Sequence, residues 1–247
     1  MKAVAYELMA EVEDSYWWYR ARREILASVI DRLAPPGTDL IDFGCGTGGT
    51  AELLSKRGYR VLAADVSEAA LEACRMRGLA TINLKTQRLR ENCADGVLAG
   101  DVLEHVSDDL ELLITFRNIV RPGGFLVVTV PAYEFLWSGE DYVSDHVRRY
   151  TRAGLTRQLR RAGFENIRCS YFNTLLFPVI AGVILMKRLL FPREMYRSNL
   201  APMGRWQNEL LYKIFRSEGR LLRRISFPAG ASLIAVARTW DSKRHFN

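Results

Sequence analysis

The stretch from Leu40 to Gly48, Leu-Ile-Asp-Phe-Gly-Cys-Gly-Thr-Gly, constrains the fold of this chain more than any other. Apolar and aromatic residues surround one acid, and glycine then falls at every second position, at 44, 46 and 48. The pattern predicts a buried strand that runs into a tight turn and opens a helix. Glycine is needed in such a turn because a ligand and the following helix both approach the backbone too closely for a Cβ.

The glycine spacing favours a nucleoside-like ligand over a pyrophosphate. It differs from the G-x-G-x-x-G of dinucleotide sites, and no Lys follows as in a phosphate loop. A second predicted strand, residues 59–64, is followed by Asp65. An acid about 20 residues beyond a glycine turn, at the tip of the next parallel strand, is placed to bind the two hydroxyls of a ribose.

With these residues the chain resembles the class I S-adenosylmethionine-dependent methyltransferases. The resemblance rests on Asp42 to Gly48, on Asp65, on Asp101-Val-Leu-Glu-His105 and on Arg121-Pro-Gly-Gly-Phe125, in the family's order over residues 40–130. It implies an α/β fold, with a doubly wound, Rossmann-like sheet of seven mostly parallel strands. It also implies S-adenosylmethionine as methyl donor and S-adenosylhomocysteine as product.

Matching the family's motifs residue by residue implies a set of cofactor-binding positions. They are Asp42, Gly44, Cys45, Gly46, Gly48, Asp65, Val66, Asp101 and Val102. Relatives often place an acid after the third strand to hold the adenine amino group, but this chain has Lys85-Thr86-Gln87 there. We therefore expect Gln87 or the backbone to bind adenine.

The chain is expected to divide into four parts. These are an N-terminal lid helix in residues 1–37, a cofactor-binding core in 38–170, a basic amphipathic helical insertion in 171–229, and a closing strand and tail in 230–247. The lid contains Tyr16-Trp-Trp-Tyr19, four aromatics that cannot all face one core. We expect Trp17 and Trp18 to contact substrate over the cleft, and packing against the sheet is the alternative for each.

Charge is distributed unevenly along the chain. Residues 1–147 hold 15 Lys and Arg against 23 Asp and Glu, whereas residues 148–247 hold 20 against 5. A basic half beside an acidic core predicts an anionic partner, either a membrane surface, nucleic acid or a phosphorylated substrate. A solvated arginine-rich face is the alternative.

The four cysteines lack metal-ligand spacing, which favours a reduced, cytoplasmic setting over a disulfide framework.

The second half also contains two apolar segments. The charge-free run in residues 174–186 is 13 residues long, shorter than the ~20 needed to span a bilayer. Residues 205–225 show a helical apolar stripe opposite a basic face. Such a helix can lie in a membrane interface, cover a pocket or form a homodimer contact, and packing is favoured over the membrane. Peripheral membrane association therefore stays open.

Methyl transfer from a sulfonium is an in-line displacement, so alignment of donor and acceptor supplies most of the catalysis. A hydroxyl acceptor also needs a base, and the chain has three histidines. His245 is set aside as part of the tail, which leaves His105 and His146 as catalytic candidates. Beside His146, Arg148, Arg149 and Tyr150 are predicted to bind substrate; the alternative is that the arginines anchor the loop through ion pairs.

Two questions of chemistry remain open in the sequence. Asp101, Glu104 and His105 resemble a divalent-cation motif of some O-methyltransferases, but relatives without a metal also carry Glu-His there, so no metal is predicted. The predicted function is methyl transfer to a small or lipid-linked acceptor, most simply at oxygen. The alternatives are an RNA methyltransferase and a non-catalytic cofactor-binding subunit. Nucleic acid is disfavoured because the arginines alternate with apolar runs rather than with exposed stacking aromatics.

Overall fold

A computed structural model of the chain describes residues 12–191, 196, 203–222 and 224–240. In these residues the chain forms seven strands and eight α-helices. The strands are β1 Asp39–Phe43, β2 Arg60–Asp65, β3 Ala80–Asn83, β4 Ala94–Gly100, β5 Val120–Pro131, β6 Glu165–Phe172 and β7 Ser232–Arg238. The helices are α1 Trp17–Ile30, α2 Gly49–Lys56, α3 Glu68–Met76, α4 Asp109–Ile119, α5 Gly139–Val143, α6 Arg152–Arg161, α7 Phe177–Leu190 and α8 Arg205–Leu222.

The strands form a single sheet in the order β3-β2-β1-β4-β5-β7-β6. Strands β1 to β5 pair in parallel, and β7 is antiparallel to both of its neighbours, β5 and β6. The prediction of a Rossmann-like, mostly parallel sheet of seven strands is confirmed. The beginning of the predicted lid helix and the tail with His245 lie outside the described residues.

Helices cover both faces of the sheet, as alternate residues of β5 illustrate. Leu126 and Val128 are fully buried in a cluster with α4 and α6, whereas Phe125 and Val127 pack in a second cluster with α1, α2 and α8. A strand buried on both faces has to be apolar at successive positions, which is typical of parallel sheets with two helical layers. The sheet is therefore doubly wound, and its carboxyl edge is free to hold a ligand.

Helix α8 packs on α1, so the insertion supports the lid. The ring of Trp17 meets that of Phe215 edge to face at 5.8 Å, and Asn208 accepts a hydrogen bond of 2.8 Å from the Trp17 backbone. Arg20 also forms an ion pair with Glu209 at 2.9 Å. These contacts join the two helices on the same face of the sheet, above the strands that carry the glycine turn.

The apolar stripe predicted for α8 is only partly turned inward. Phe215 and Leu222 are buried, whereas Trp206, Leu210 and Leu221 are exposed. The buried side also holds Glu218, whose carboxylate accepts hydrogen bonds from the backbone of residues 174 and 175, just ahead of α7.

Among the described residues, no helix combines the length and apolar character that crossing a bilayer requires.

Candidate active site

A cavity of about 840 Å³ opens at the carboxyl ends of the parallel strands, and α1 lies over it. It brings together most of the residues predicted from the sequence. Its lining includes Asp42, Gly44, Cys45, Gly46, Asp65, Val66, Asp101, Val102, His105, His146, Arg149, Trp17 and Trp18. Gly48, Arg148 and Tyr150 are not part of the lining.

The glycine turn has the backbone that the sequence requires. Gly44, Gly46 and Gly48 have φ angles of +70°, +53° and +87°. A Cβ on Gly44 would lie 2.6 Å from a methyl group of Val102, and a Cβ on Gly48 would lie 2.7 Å from the sulfur of Cys74. Gly44 thus lets the tip of β4 approach the turn, and Gly48 lets α3 pack beneath it without contacting the cavity.

Asp65 is the last residue of β2 and is buried beside the turn. Its carboxylate accepts hydrogen bonds from the backbone of Gly46 at 3.1 Å and of Ser67 at 2.9 Å. These bonds fix the orientation of the carboxylate. Gln87, which was predicted as one of two alternatives for binding adenine beside the backbone, is exposed and outside the lining, whereas Leu84 lies in it.

Asp42 lies fully buried under the turn. Burial raises the pKa of Asp42 to about 7, although the guanidinium of Arg22 opposes the shift. Its Oδ2 has no hydrogen-bond partner among the described residues. A buried carboxyl group that is protonated, or that lacks hydrogen bonds to its ionised form, in the free protein is suited to bind a positively charged group of a ligand.

The aromatic run of the lid contributes all four of its rings to the cavity wall. Trp17 is also buried against α8, and the Arg22 guanidinium lies 5.1 Å from the ring centre of Trp18. Trp17 and Trp18 therefore pack against neighbouring side chains and also cover the cleft, so the two alternatives drawn from the sequence do not exclude each other.

Arg22 is a cavity residue that the sequence argument did not single out. It forms an ion pair with Asp101 at 2.7 Å and donates a hydrogen bond to the hydroxyl of Thr129 at 2.8 Å. Asp101, with φ of +58°, turns at the tip of β4 to make this contact. The signal available was its position one helical turn after Trp18, on the same face of α1. Arg22 thereby joins the lid to the sheet.

Glu104, His105 and His146 form a polar cluster in the cavity wall, in which Glu104 is buried and both histidines are partly buried. The two imidazole rings are 4.7 Å apart, and one potential ligand atom from each of the three residues lies within 4.8 Å of the others. Both carboxylate oxygens of Glu104 and Nδ1 of His105 lack hydrogen-bond partners among the described residues. Burial raises the pKa of Glu104 well above its ordinary value, and burial together with His146 lowers that of His105 to about 4.

His146 is oriented by Asp141, a residue that the sequence analysis missed. The Asp141 carboxylate lies 2.8 Å from Nδ1 of His146 and accepts two further bonds of 2.8 Å from Arg149. Burial alone would raise the pKa of Asp141, but the bonds from His146 and Arg149 outweigh it and hold the pKa at about 2. Ser138, three residues before Asp141, was a helix-start signal that could have located it.

Arg148 and Tyr150 tie the loop to α4 and do not reach the cavity. Arg148 donates to the Ser107 carbonyl at 2.6 Å and lies 3.3 Å from the Asp109 carboxylate. The buried hydroxyl of Tyr150 donates to Asp109 at 2.8 Å. The geometry gives no support to the prediction that Arg148 and Tyr150 contact substrate. Arg148 anchors the loop, which was the alternative.

The donor set of this cluster fits a divalent cation. One carboxylate and two imidazoles are ligands that Mn²⁺, Fe²⁺ or Zn²⁺ accept, and a carboxylate on Nδ1 of a ligating histidine is the usual outer support. The set differs from the Asp101, Glu104 and His105 motif considered in the sequence, because Asp101 is engaged by Arg22 and His146 takes its place. The unpartnered Glu104 oxygens are consistent with such a role.

The strand order, the glycine turn with Asp65, and the cavity at the strand tips together define the class I S-adenosylmethionine-dependent methyltransferase fold. A family described as "Methyltransferase domain" matches residues 17–168, and the chain belongs to this family of S-adenosylmethionine-dependent methyltransferases. Family membership gives the chain a methyltransferase domain, and the methyl donor of this family is S-adenosylmethionine.

Individual relatives are more distant. A probable S-adenosylmethionine-dependent methyltransferase of Mycolicibacterium smegmatis is 30% identical over 159 residues, which cover 62% of this chain and 61% of the relative. A ubiquinone biosynthesis O-methyltransferase of Xanthomonas campestris is 27% identical over 47% of this chain and 54% of its own length. The chain thus spans about half to three fifths of these two relatives.

Solved structures extend the similarity in fold. A SAM-dependent methyltransferase from Archaeoglobus fulgidus superimposes with a TM-score of 0.56 at 18% identity, covering 88% of this chain and 94% of the other. At this identity the match concerns the fold alone.

Proposed function

We propose that the chain transfers the methyl group of S-adenosylmethionine to a hydroxyl oxygen of a small or lipid-linked acceptor. The observation that carries this proposal is the Asp141–His146 pair, with Nδ1 held at 2.8 Å in the wall of the cavity. A neutral hydroxyl is a weak nucleophile that has to lose its proton during transfer, so an oriented imidazole favours an oxygen acceptor. The similarity to an O-methyltransferase over part of the chain supports the same choice.

The cofactor would lie along the strand tips. The glycine turn at Gly44 and Gly46 would contact its methionine part, and Asp65 would accept hydrogen bonds from the ribose hydroxyls. Val66 and Leu84, both in the lining, offer apolar surface for adenine. Arg22 supplies a guanidinium for the carboxylate of the methionine part.

The reaction is a single displacement. The acceptor oxygen attacks the methyl carbon, the carbon–sulfur bond breaks, and its electron pair stays on sulfur to give S-adenosylhomocysteine. The acceptor proton passes to the free ring nitrogen of His146, where Asp141 stabilises the imidazolium. Proton transfer to a positioned base contributes roughly 10²–10⁴-fold, and alignment within the cavity supplies the remainder.

A cation-assisted form of this reaction is a second candidate, favoured by the unpartnered Glu104 oxygens. Glu104, His105 and His146 would hold the ion, which would lower the pKa of an acceptor hydroxyl and orient a neighbouring oxygen. Chelator treatment followed by titration with Mg²⁺, Mn²⁺ or Zn²⁺ alone tests it. Cation binding that Glu104→Gln abolishes would support this form, and unchanged turnover in chelator would argue against it.

Methyl transfer from labelled cofactor to a panel of phenols, catechols, sugars and lipid-linked alcohols tests the main proposal. His146→Ala should lower turnover about 100-fold while cofactor affinity by calorimetry stays unchanged. Val147→Ala is the matched control, because Val147 is the exposed neighbour of the same loop. Full activity of His146→Ala would contradict the assignment of the base.

The same assay separates the alternatives. Label entering total RNA and no alcohol would favour an RNA methyltransferase. Tight cofactor binding with no transfer to any acceptor would favour a non-catalytic subunit.

A further inference from the structure

Helix α7 presents a wide apolar face to solvent. Val179, Val183, Met186 and Leu190 recur at helical spacing and are 64%, 41%, 50% and 64% exposed. Leu185 and Leu189 widen this face, and Leu175 and Phe191 extend it beyond both ends of the helix. Contiguous apolar surface of this kind on a folded protein marks a binding surface. We call these eight residues the α7 face.

The opposite side of the same helix forms part of the cavity wall. Ile180 and Ile184 belong to the lining and pack near Leu136. Arg188 donates hydrogen bonds to the carbonyls of Phe135 and Trp137, which hold the end of α7 to the loop beyond β5. The α7 face therefore has a fixed position, one helix thickness from the cavity.

The charges around this helix select an anionic partner. No Asp or Glu occurs between residues 166 and 193, and Lys187 and Arg188 lie in the last turn of α7. Strand β6 leads into α7, and among the described residues the depression beside β6 has no acid in its lining. It is lined by five arginines: Arg152, Arg157, Arg160, Arg161 and Arg168. A second copy of the chain packed on the α7 face would bring together two segments that carry basic residues and no acid, which disfavours a dimer on this face.

We propose that α7 docks on an anionic lipid bilayer, lying in the interface with the α7 face among the headgroups and upper acyl chains. The helix is 14 residues long, too short to span a bilayer but long enough to lie flat in the interface. Basic side chains near the surface add attraction to anionic lipids. The apolar contact and the charge thus act together.

Docking also suggests how an acceptor reaches the site, a step that rests on the proposed function. With its chain in the bilayer, a lipid-linked acceptor would pass its head group beside α7 into the cavity. Within the described residues, α7 would then lie between the lipid and the cavity, because its own Ile180 and Ile184 form part of the cavity wall.

Vesicle flotation of the full chain tests the docking surface without any assay of activity. Vesicles of phosphatidylcholine with 30% phosphatidylglycerol should bind the protein at low salt. Vesicles of pure phosphatidylcholine should bind it at least tenfold less, and 0.5 M NaCl should weaken the anionic binding because it shortens the screening length. Val183→Glu combined with Leu189→Glu should reduce anionic binding at least tenfold.

Ile114→Glu is the matched control, since Ile114 on α4 is 40% exposed and Val183 is 41% exposed. Unchanged cofactor affinity by calorimetry verifies that both variants fold. Absence of binding at low salt, equal loss in the control, or a concentration-dependent dimer that the α7 substitutions break would each overturn the proposal. Vesicle binding that persists when no alcohol is methylated would leave docking intact and refute only the proposed function.

Discussion

Asp42, Asp65 and Glu104 are carboxylates that lie in the cavity wall with little access to water. Their environments differ. Asp65 is held by two backbone N–H groups, whereas Asp42 and Glu104 each keep at least one oxygen without a partner among the described residues. Hydrogen bonds to the ionised form offset the cost of burial, and their absence raises a pKa. We therefore expect a different task for each acid. Asp65 would orient a sugar, Asp42 would change its protonation when a charged group binds, and Glu104 would bind a proton or a cation.

Asp65→Ala should weaken binding of S-adenosylmethionine on the order of 100-fold, because it removes two charge-assisted hydrogen bonds to the ribose. Calorimetric titration measures the change. Asp95→Ala is the control, since Asp95 lies at the opposite end of the sheet on β4 and pairs with Arg121. Equal affinities for the wild type and Asp65→Ala would refute the ribose assignment.

Asp42 should make cofactor binding depend on pH. In the free protein its pKa is about 7, so below that pH it is largely protonated. The sulfonium and ammonium groups of S-adenosylmethionine favour the ionised form, so binding releases a proton and the affinity rises as pH increases through about 7. Asp42→Asn should flatten this profile. A profile that is identical in the variant would assign the pH dependence to another group.

The same residue affects the stability of the cofactor-free protein. Its folded pKa lies above the unfolded value of 3.8, so its contribution to stability is complete below about pH 4 and is lost as pH rises through about 7. Urea denaturation of wild type and Asp42→Asn at pH 5 and pH 8 measures this. The variant should lose less stability between the two pH values.

At the scale of secondary-structure elements, α7 and α8 are coupled through one buried acid. Glu218 of α8 accepts hydrogen bonds of 3.0 and 2.7 Å from the backbone of Thr174 and Leu175. Burial raises the pKa of Glu218, and these bonds partly oppose that rise. The N-terminal end of the cavity-lining helix is therefore positioned by a helix that does not itself line the cavity.

Glu218→Ala should lower the free energy of unfolding by about 1–3 kcal/mol, because it leaves two partly buried backbone N–H groups without their acceptor. Glu218→Gln should recover part of the loss, since its amide oxygen can accept one of the two bonds. Glu209→Ala provides the comparison, because solvent screens its ion pair with Arg20, and this variant should lose less stability than Glu218→Ala. Similar losses in Glu218→Ala and Glu209→Ala would show that the buried bonds do not stabilise the junction.

At the scale of the whole molecule, α1, α7 and the strand tips together form the wall of the cavity. Arg22 joins α1 to the tip of β4, and Trp17 joins α1 to α8. Helix α6 lies in the other layer, packed on α4. A ligand that orders the lid should therefore affect α8 more than α6.

Hydrogen exchange with and without S-adenosylmethionine measures this transmission. Cofactor binding should slow exchange in α1 and also in α8, although α8 does not line the cavity. Helix α6 serves as the internal reference and should not change. Protection confined to the strand tips would show that the lid and insertion move independently of the cofactor.

The sequence by itself determined the sheet, the glycine turn and the place of Asp65. These follow from local rules: apolar strands, glycines at positive φ, and an acid at a strand end are each written in consecutive residues. The lid helix and the closing strand were predicted for the same reason. His105 was predicted from its place beyond the tip of the fourth strand and His146 from the polar stretch around it, and their proximity was not part of the prediction.

Only the tertiary structure decided which polar groups meet. Asp141 lies beside His146 because a short helix folds back. Arg22 pairs with Asp101 because the lid crosses the sheet, and Arg148 and Tyr150 turn toward Asp109 instead of the cavity. Except for the pair of Asp141 and His146, these contacts join residues far apart in the chain, and charge and hydrogen-bond geometry select them from many pairs that the sequence allows. The physical reason is that burial makes an unpaired charge costly, and the fold alone determines which partner is within reach.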